Sequence, residues 1–271
     1  VSISSDTAPV SQTYWNTAAE TYDQDFTETF LGMLWRHSVW EDIDAGFSPG
    51  QRILELNCGT GVDALHMAEH GISVVACDIS SRMIEIARHR QANHAFGSMV
   101  DFRVLPTENL AELPTDALFD GVFSNFSGLN CVKDLPRVRR ELASRLKPGA
   151  RAYFCMLGRF APWEILWFLV HGNWKKAFRK LYRGSIPSAR GEIEIQLRSS
   201  KQLVELLAPD FRLRARKGIG IALPPSYMNH LVGNFPALLQ GLSGIDRMIS
   251  RAPIFRNLGG CILFEFERTA R

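Results

Sequence analysis

Between residues 50 and 156 the chain alternates short apolar runs with amphipathic stretches. The apolar runs are Arg52–Asn57, Ser73–Cys77, Asp101–Leu105, Gly121–Ser124 and Ala150–Met156. Runs this short, without a polar face, predict strands covered on both sides. Between them, Asp63–Glu69, Ser81–Ala92 and Leu135–Leu146 repeat apolar residues at helical spacing. Ser80-Ser81 supplies a cap for the second helix, and Lys147-Pro148-Gly149 stops the third. Strict alternation of this kind predicts an α/β fold, a doubly wound and mostly parallel sheet with right-handed crossovers. Outside this block the rhythm differs. Ser11–Asp44 has a helical pattern crowded with aromatics, and Pro49-Gly50 is a turn. After Met156, residues 159–198 read as a helical insertion, followed by a helix at Ser199–Leu207 and a strand at Phe211–Lys217. A second insertion, 218–255, leads to the well-alternated strand Cys261–Arg268. Two late strands joined by a long connection predict an antiparallel pair at the sheet edge. Residues 1–11 are polar and read as disordered.

Composition narrows the class without deciding it. The 271 residues are 46% hydrophobic and 22% charged, enough for one large core. A net charge of +3 does not by itself point to nucleic acid. That charge is uneven: His171–Lys217 holds twelve Lys or Arg against four Asp or Glu. The five cysteines have no CxxC spacing, so reduced thiols are expected, with no disulfide and no metal. There is no apolar leader and no run near the ~20 residues of a membrane span, so the expected location is the cytoplasm.

The chemistry concentrates in ILELNCGTG, Ile53 to Gly61. A strand runs into a loop with Gly59 and Gly61, a helix follows, and the next strand ends at Asp78. This is how an α/β protein holds an adenosine-containing cofactor, with amides at a helix N-terminus and an acid for the ribose. Gly59-x-Gly61-x-x-Ala64 also satisfies the nicotinamide dinucleotide fingerprint. Glu55, inside the strand, argues otherwise. A carboxylate there repels a pyrophosphate but tolerates the ammonium and sulfonium of S-adenosylmethionine.

The run from Ile53 to Arg88 resembles the first two motifs of the class I S-adenosylmethionine-dependent methyltransferases. Phe119–Leu135 is similar to that family's fourth-strand segment, and Glu141–Phe154 to its helix, Leu-Lys-Pro-Gly turn and fifth strand. The resemblance implies a Rossmann-like, seven-stranded sheet with a reversed last strand. It implies S-adenosylmethionine as methyl donor and S-adenosylhomocysteine as product. Glu55, Asn57, Gly59 and Gly61 would line the methionine end, Asp78 would bind the ribose, and Ile79 and Met83 would pack near the adenosine. Asn125 and Phe126 would stand beside the transferring methyl. Asn57 departs from the family's usual glycine, and Pro106 takes the place of its frequent aspartate. Adenine recognition would then fall to the backbone and to Thr107 or Glu108. The N-terminal aromatics resemble the family's cofactor cover, with Tyr14 and Tyr22 as candidate contacts, whereas Trp35 and Trp40 read as packing.

These features divide the chain into a helical cap (1–48), a cofactor-binding core (49–158), a lid (159–198) and a C-terminal part of the core (199–271) with a second helical insertion (218–255). The most unusual stretch is Ala161–Gly184. Trp163, Trp167 and Val170, then Trp174, Phe178 and Leu181, fall at helical spacing among five basic residues. It suits a lid over an apolar substrate, a membrane-surface contact, or a packed helix with a solvated basic face; its aromatics disfavour nucleic acid. His171, Tyr227 and His230 are the candidate general bases. The reading is therefore a methyltransferase for an apolar or amphipathic small molecule, by O-, N- or C-methylation. A nicotinamide-dependent oxidoreductase and a catalytically degenerate S-adenosylmethionine-binding regulator are the alternatives.

Overall fold

A computed structural model describes residues 10–114, 117–188 and 191–270. Its frame is a seven-stranded sheet. The strands are β1 (Arg52–Leu56), β2 (Ser73–Asp78), β3 (Val100–Val104), β4 (Phe119–Ser124) and β5 (Leu146–Leu157), then β8 (Phe211–Ile219) and β9 (Cys261–Arg268) after a separate ribbon of β6 (Ser185–Pro187) and β7 (Glu194–Gln196). The spatial order is β3-β2-β1-β4-β5-β9-β8. Pairings from β3 through β5 are parallel, and β9 runs antiparallel to both β5 and β8. The expected sheet and its antiparallel late pair are both present.

Alternation along each strand separates two cores. Ile53, Val74, Phe102, Phe123 and Cys155 face one side, packed by α2 (Phe30–Gly46), α3 (Val62–Glu69) and α4 (Ser81–Ala92). Leu54, Val75, Val122, Phe154 and Phe264 face the other, packed by α5 (Leu135–Arg145) and α9 (Ser200–Leu207). Ser80 caps α4 by accepting from the Met83 amide, as the sequence suggested. α1 (Val10–Ala18) lies outside this frame.

Several expectations are corrected. The N-terminal helical run is not continuous: a π-turn at Asp23–Thr27 separates α1 from α2. Val10 and Ser11 belong to α1, and residues 1–9 lie outside the described residues. Lys147-Pro148-Gly149 does not separate a helix from a later strand; it lies within β5, where the pairing with β4 shifts register. The first insertion is only partly helical. It holds α6 (Pro162–Val170), α7 (Trp174–Ala177) and α8 (Arg179–Tyr182), but then the β6–β7 ribbon. The second insertion carries α10 (Asn229–Val232) and α11 (Pro236–Ile249). No helix among the described residues is long and apolar enough to cross a membrane.

Candidate active site

Two neighbouring cavities open at the carboxyl ends of the parallel strands, the edge where open α/β sheets bind ligands. The smaller, about 120 Å³, is walled by the glycine loop, the ends of β2 and β4, and α1. Its walls include Tyr22, Asn57, Gly59, Asp78, Ile79, Met83, Thr107, Glu108, Asn125 and Phe126, all singled out from the sequence. Three other candidates stand elsewhere. The Cβ of a residue at Gly61 would meet Phe102 at 2.5 Å and Ala87 at 2.8 Å, so that glycine serves helix–strand packing. Glu55 is buried behind the wall, and Tyr14 packs edge-on against Trp15, which lines the cavity in its place.

Each wall residue is held by its element. Among the described residues, a Cβ at Gly59 would find only the Tyr22 ring, at 3.9 Å, so a ligand can approach this backbone closely. Asp78, at the end of β2, accepts from the Gly59 amide (2.9 Å) and the Ser80 amide (2.8 Å). Burial pushes its carboxyl upward, against the pull of the Ser80, Gly59 and Ile79 amides. Asn57 sits in the left-handed region at φ 55°, which Asn tolerates better than most residues. Its amide donates to Thr107 Oγ1 (3.1 Å) and its carbonyl accepts from Ser124 Oγ (3.2 Å). A Cβ at Gly128 would lie 2.4 Å from that of Asn57, so the asparagine occupies room left by this glycine. Phe126 and Ser127, just past β4, also have positive φ, a strain that clusters at functional sites.

Sequence reasoning missed Arg36 and Asp63. They form a buried ion pair at 2.7 Å in the same wall. Asp63 also accepts from Asn125 Nδ2 (3.0 Å) and Trp40 Nε1 (2.7 Å). The signal was available: Arg36 falls on the apolar stripe of α2, beside Leu31, Trp35 and Val39. Glu55 faces the same pair. Burial, and then Asp63, hold its carboxyl well above the ordinary 4.5, and its Oε2 has no hydrogen-bond partner among the described residues.

The larger cavity, about 720 Å³, shares Tyr22 and Phe126 with the smaller. Phe26, Trp35, Trp163 and Tyr227 add further aromatic rings to its walls. Trp35, read as packing, is both core and wall; its indole donates to the Pro224 carbonyl (3.0 Å) and fills space that Gly220 and Gly260 leave open. Trp163 similarly donates to the Ala222 carbonyl (2.7 Å). The polar end is Glu164, which binds Lys180 and, at 3.2 Å, Arg179.

Of the candidate bases, Tyr227 and His230 line this cavity. Burial, then Glu164, pushes the Tyr227 hydroxyl up to about 12, which makes it a donor at neutral pH. His230 Nδ1 lies 2.9 Å from the Tyr227 carbonyl. A carbonyl only accepts, so Nδ1 carries the proton and Nε2 keeps its lone pair. His171 does not line either cavity; it ends α6, exposed and tilted against the Trp167 ring, so the structure does not bring it to the site.

The smaller cavity's charge discriminates between cofactors. Among the described residues of its wall, Asp63, Asp78 and Glu108 oppose Arg36 alone. Such walls repel a pyrophosphate and suit a cationic ligand with a ribose. Comparison with known proteins agrees. Residues 53–149 match a family model described as a methyltransferase domain. The malonyl-[acyl-carrier protein] O-methyltransferase of Serratia marcescens is 31% identical over 210 residues, covering 75% of this chain and 72% of that protein. The chain belongs to the class I S-adenosylmethionine-dependent methyltransferases. Within that family it is also similar to the demethylmenaquinone methyltransferase of Symbiobacterium thermophilum, at 34% identity over 46% of this chain and 55% of the relative. The chain spans about half the length of the first curated relatives it matches. The solved CcbJ methyltransferase of Streptomyces caelestis shares the fold, with a TM-score of 0.59 at 15% identity over 96% of this chain and 99% of that one. The family's cofactor is S-adenosylmethionine, and the open approach to Gly59 and the Asp78 carboxylate in the cavity wall fit it.

Proposed function

We propose that this protein methylates an apolar or amphipathic small molecule, with S-adenosylmethionine in the smaller cavity and the acceptor in the larger. The adjacency of the two cavities through Tyr22 and Phe126 carries this reading. Bound there, the cofactor supplies an electrophilic methyl carbon. The chain's own residues then bind, align and keep out water, which is most of what methyl transfer needs. Asp78 would accept from the ribose hydroxyls, Arg36 would face the methionine carboxylate, and Ile79 and Met83 would pack the adenosine. Phe26 and Phe126, edge-to-face at 4.7 Å, dry the boundary between the cavities. His230 Nε2 is the atom placed to take a proton from an acceptor hydroxyl. The aromatic walls favour a flat, apolar acceptor; the relative named for demethylmenaquinone is consistent with that class. Residues 1–48 act as the cap and 159–198 as the lid in this scheme. Exposed Leu166, Val170, Trp174 and Tyr182 beside the basic residues of the lid suit contact with an anionic lipid surface, from which such an acceptor would enter.

The test is incubation with isotopically labelled S-adenosylmethionine and a fractionated lipid extract, with mass spectrometry of what gains the methyl. Label in a prenylated or aromatic lipid supports the reading, and Asp78→Ala should weaken S-adenosylhomocysteine binding by about 1.5–3 kcal/mol. Label only in polar metabolites or RNA overturns the substrate class. Tight S-adenosylhomocysteine binding without turnover on any fraction would make the chain a regulator.

A further inference from the structure

We propose that Asp44, His66 and His70 form a binding site for one divalent transition-metal ion of the zinc class, outside both cavities. α2 and α3 lie side by side, and each presents two residues one helical turn apart. From α2 these are Trp40 and Asp44; from α3 and its end they are His66 and His70. One ligand atom from each of Asp44, His66 and His70 lies within 4.8 Å of the others. Asp44 Oδ1 stands 2.8 Å from His66 Nε2. Zinc bonds nitrogen and carboxylate oxygen at about 2.0–2.2 Å, so a small separation of these two atoms admits the ion.

Of the two histidines, His70 is already oriented as a ligand, whereas His66 Nε2 donates its proton to the Asp44 carboxylate and must release it to the ion. His70 Nδ1 lies 2.8 Å from the His66 carbonyl, so Nδ1 carries the proton and Nε2 is left with its lone pair. Ligating histidines characteristically donate their other ring N–H to a carbonyl or carboxylate in this way. His66 is fixed by a parallel stack on Trp40, with ring centres 3.8 Å apart and planes at 3°. Asp44 and His70 are exposed, which gives the ion a path from solvent. Two imidazoles and one carboxylate favour zinc, nickel or copper over magnesium or calcium, with water completing the shell.

The site also connects to the smaller cavity. Trp40, whose ring backs His66, donates to Asp63 Oδ1 at 2.7 Å, while Asp63 Oδ2 pairs with Arg36 at 2.7 Å. Both Asp63 and Arg36 belong to that cavity's wall. An ion that clamps α2 to α3 therefore steadies the wall, and cofactor binding should tighten with it. The metal site stands on its own residues; the coupling rests on the function proposed above.

The test titrates the untagged chain with Zn²⁺ in competition with the chromophoric chelator Zincon, and with Co²⁺ read by its visible d–d absorption. One ion per chain is expected. His70→Gln and Asp44→Asn, both at exposed positions, should each weaken binding by about tenfold or more. Failure to compete with Zincon, or affinity unchanged in both variants, overturns the site. S-adenosylhomocysteine titrated with and without Zn²⁺ reads the coupling. Tightening by about fivefold or more, absent in His70→Gln, supports it, and equal affinities overturn it. If S-adenosylhomocysteine fails to bind under either condition, the proposed function fails while the Zn²⁺ titration still decides the metal site.

Discussion

Asn57 shows how one residue can be legible in sequence as a departure, yet explicable only in three dimensions. Its side chain, with the two hydrogen bonds that side chain makes, depends on the absence of a side chain at Gly128. Gly128→Ala should therefore lower stability by about 1–3 kcal/mol through overpacking. Asn57→Gly in the same chain should recover most of that loss in urea unfolding; no recovery would assign the damage elsewhere. Glu55 gives a pH signature. Its native carboxyl titrates well above 4.5, with burial as the main cause. Between the unfolded and native values, the native state holds a proton that the unfolded state has released. Stability from this group thus falls as pH rises through that window, by up to about 1.4 kcal/mol per pH unit. Glu55→Gln should flatten that part of the stability–pH curve, and an unchanged slope would exclude Glu55 as its source.

At the scale of elements, α2 is the keystone. Besides its apolar stripe it buries Arg36, which faces the site, and Asp42, which faces the sheet edge. Asp42 binds Lys217 of β8 at 2.9 Å and also Arg251, while Lys217 is only 3% exposed. Asp42→Ala should cost about 1.5–3 kcal/mol, because it leaves the buried Lys217 ammonium with only the Ser38 carbonyl (2.7 Å) and Glu41 (3.2 Å). The urea midpoint should fall with an unchanged slope, and a loss under 1 kcal/mol would show the pair to be dispensable. The strands of the core were legible because covered parallel strands need unbroken apolar runs. The glycine loop and Asp78 were legible because few local structures need that spacing. The β6–β7 ribbon was not, since Ser185–Pro187 and Glu194–Gln196 are too short to establish a period. Arg36 and Asp63 were readable as charges on buried helix faces, but their pairing needed the fold to bring them together.

At the scale of the molecule, the two cavities and the cap form one system. The Tyr22–Phe26 segment is pinned over the glycine loop: Thr60 Oγ1 donates to Asp23 at 2.7 Å, and Arg90 pairs with Asp23 at 2.9 Å. α1 is fastened separately, its Asn16 accepting from Ser80 Oγ at 2.7 Å. At about 120 Å³ the smaller cavity is tighter than the roughly 300 Å³ at which small-molecule sites begin, so its walls must give way to admit a cofactor. Tyr22 and Phe126 line both cavities, so in the proposed scheme they are a party wall through which each tenant would set the shape of the other's room. Linkage makes that influence mutual. Whatever factor S-adenosylhomocysteine adds to the affinity for an acceptor analogue, the analogue must add to the affinity for S-adenosylhomocysteine. Calorimetry in both orders should return one common factor above unity, and a factor of one would mean that the wall does not move. A wall that does move sets an order of business: the donor's arrival finishes the acceptor's room, and the room loosens again when the spent donor leaves.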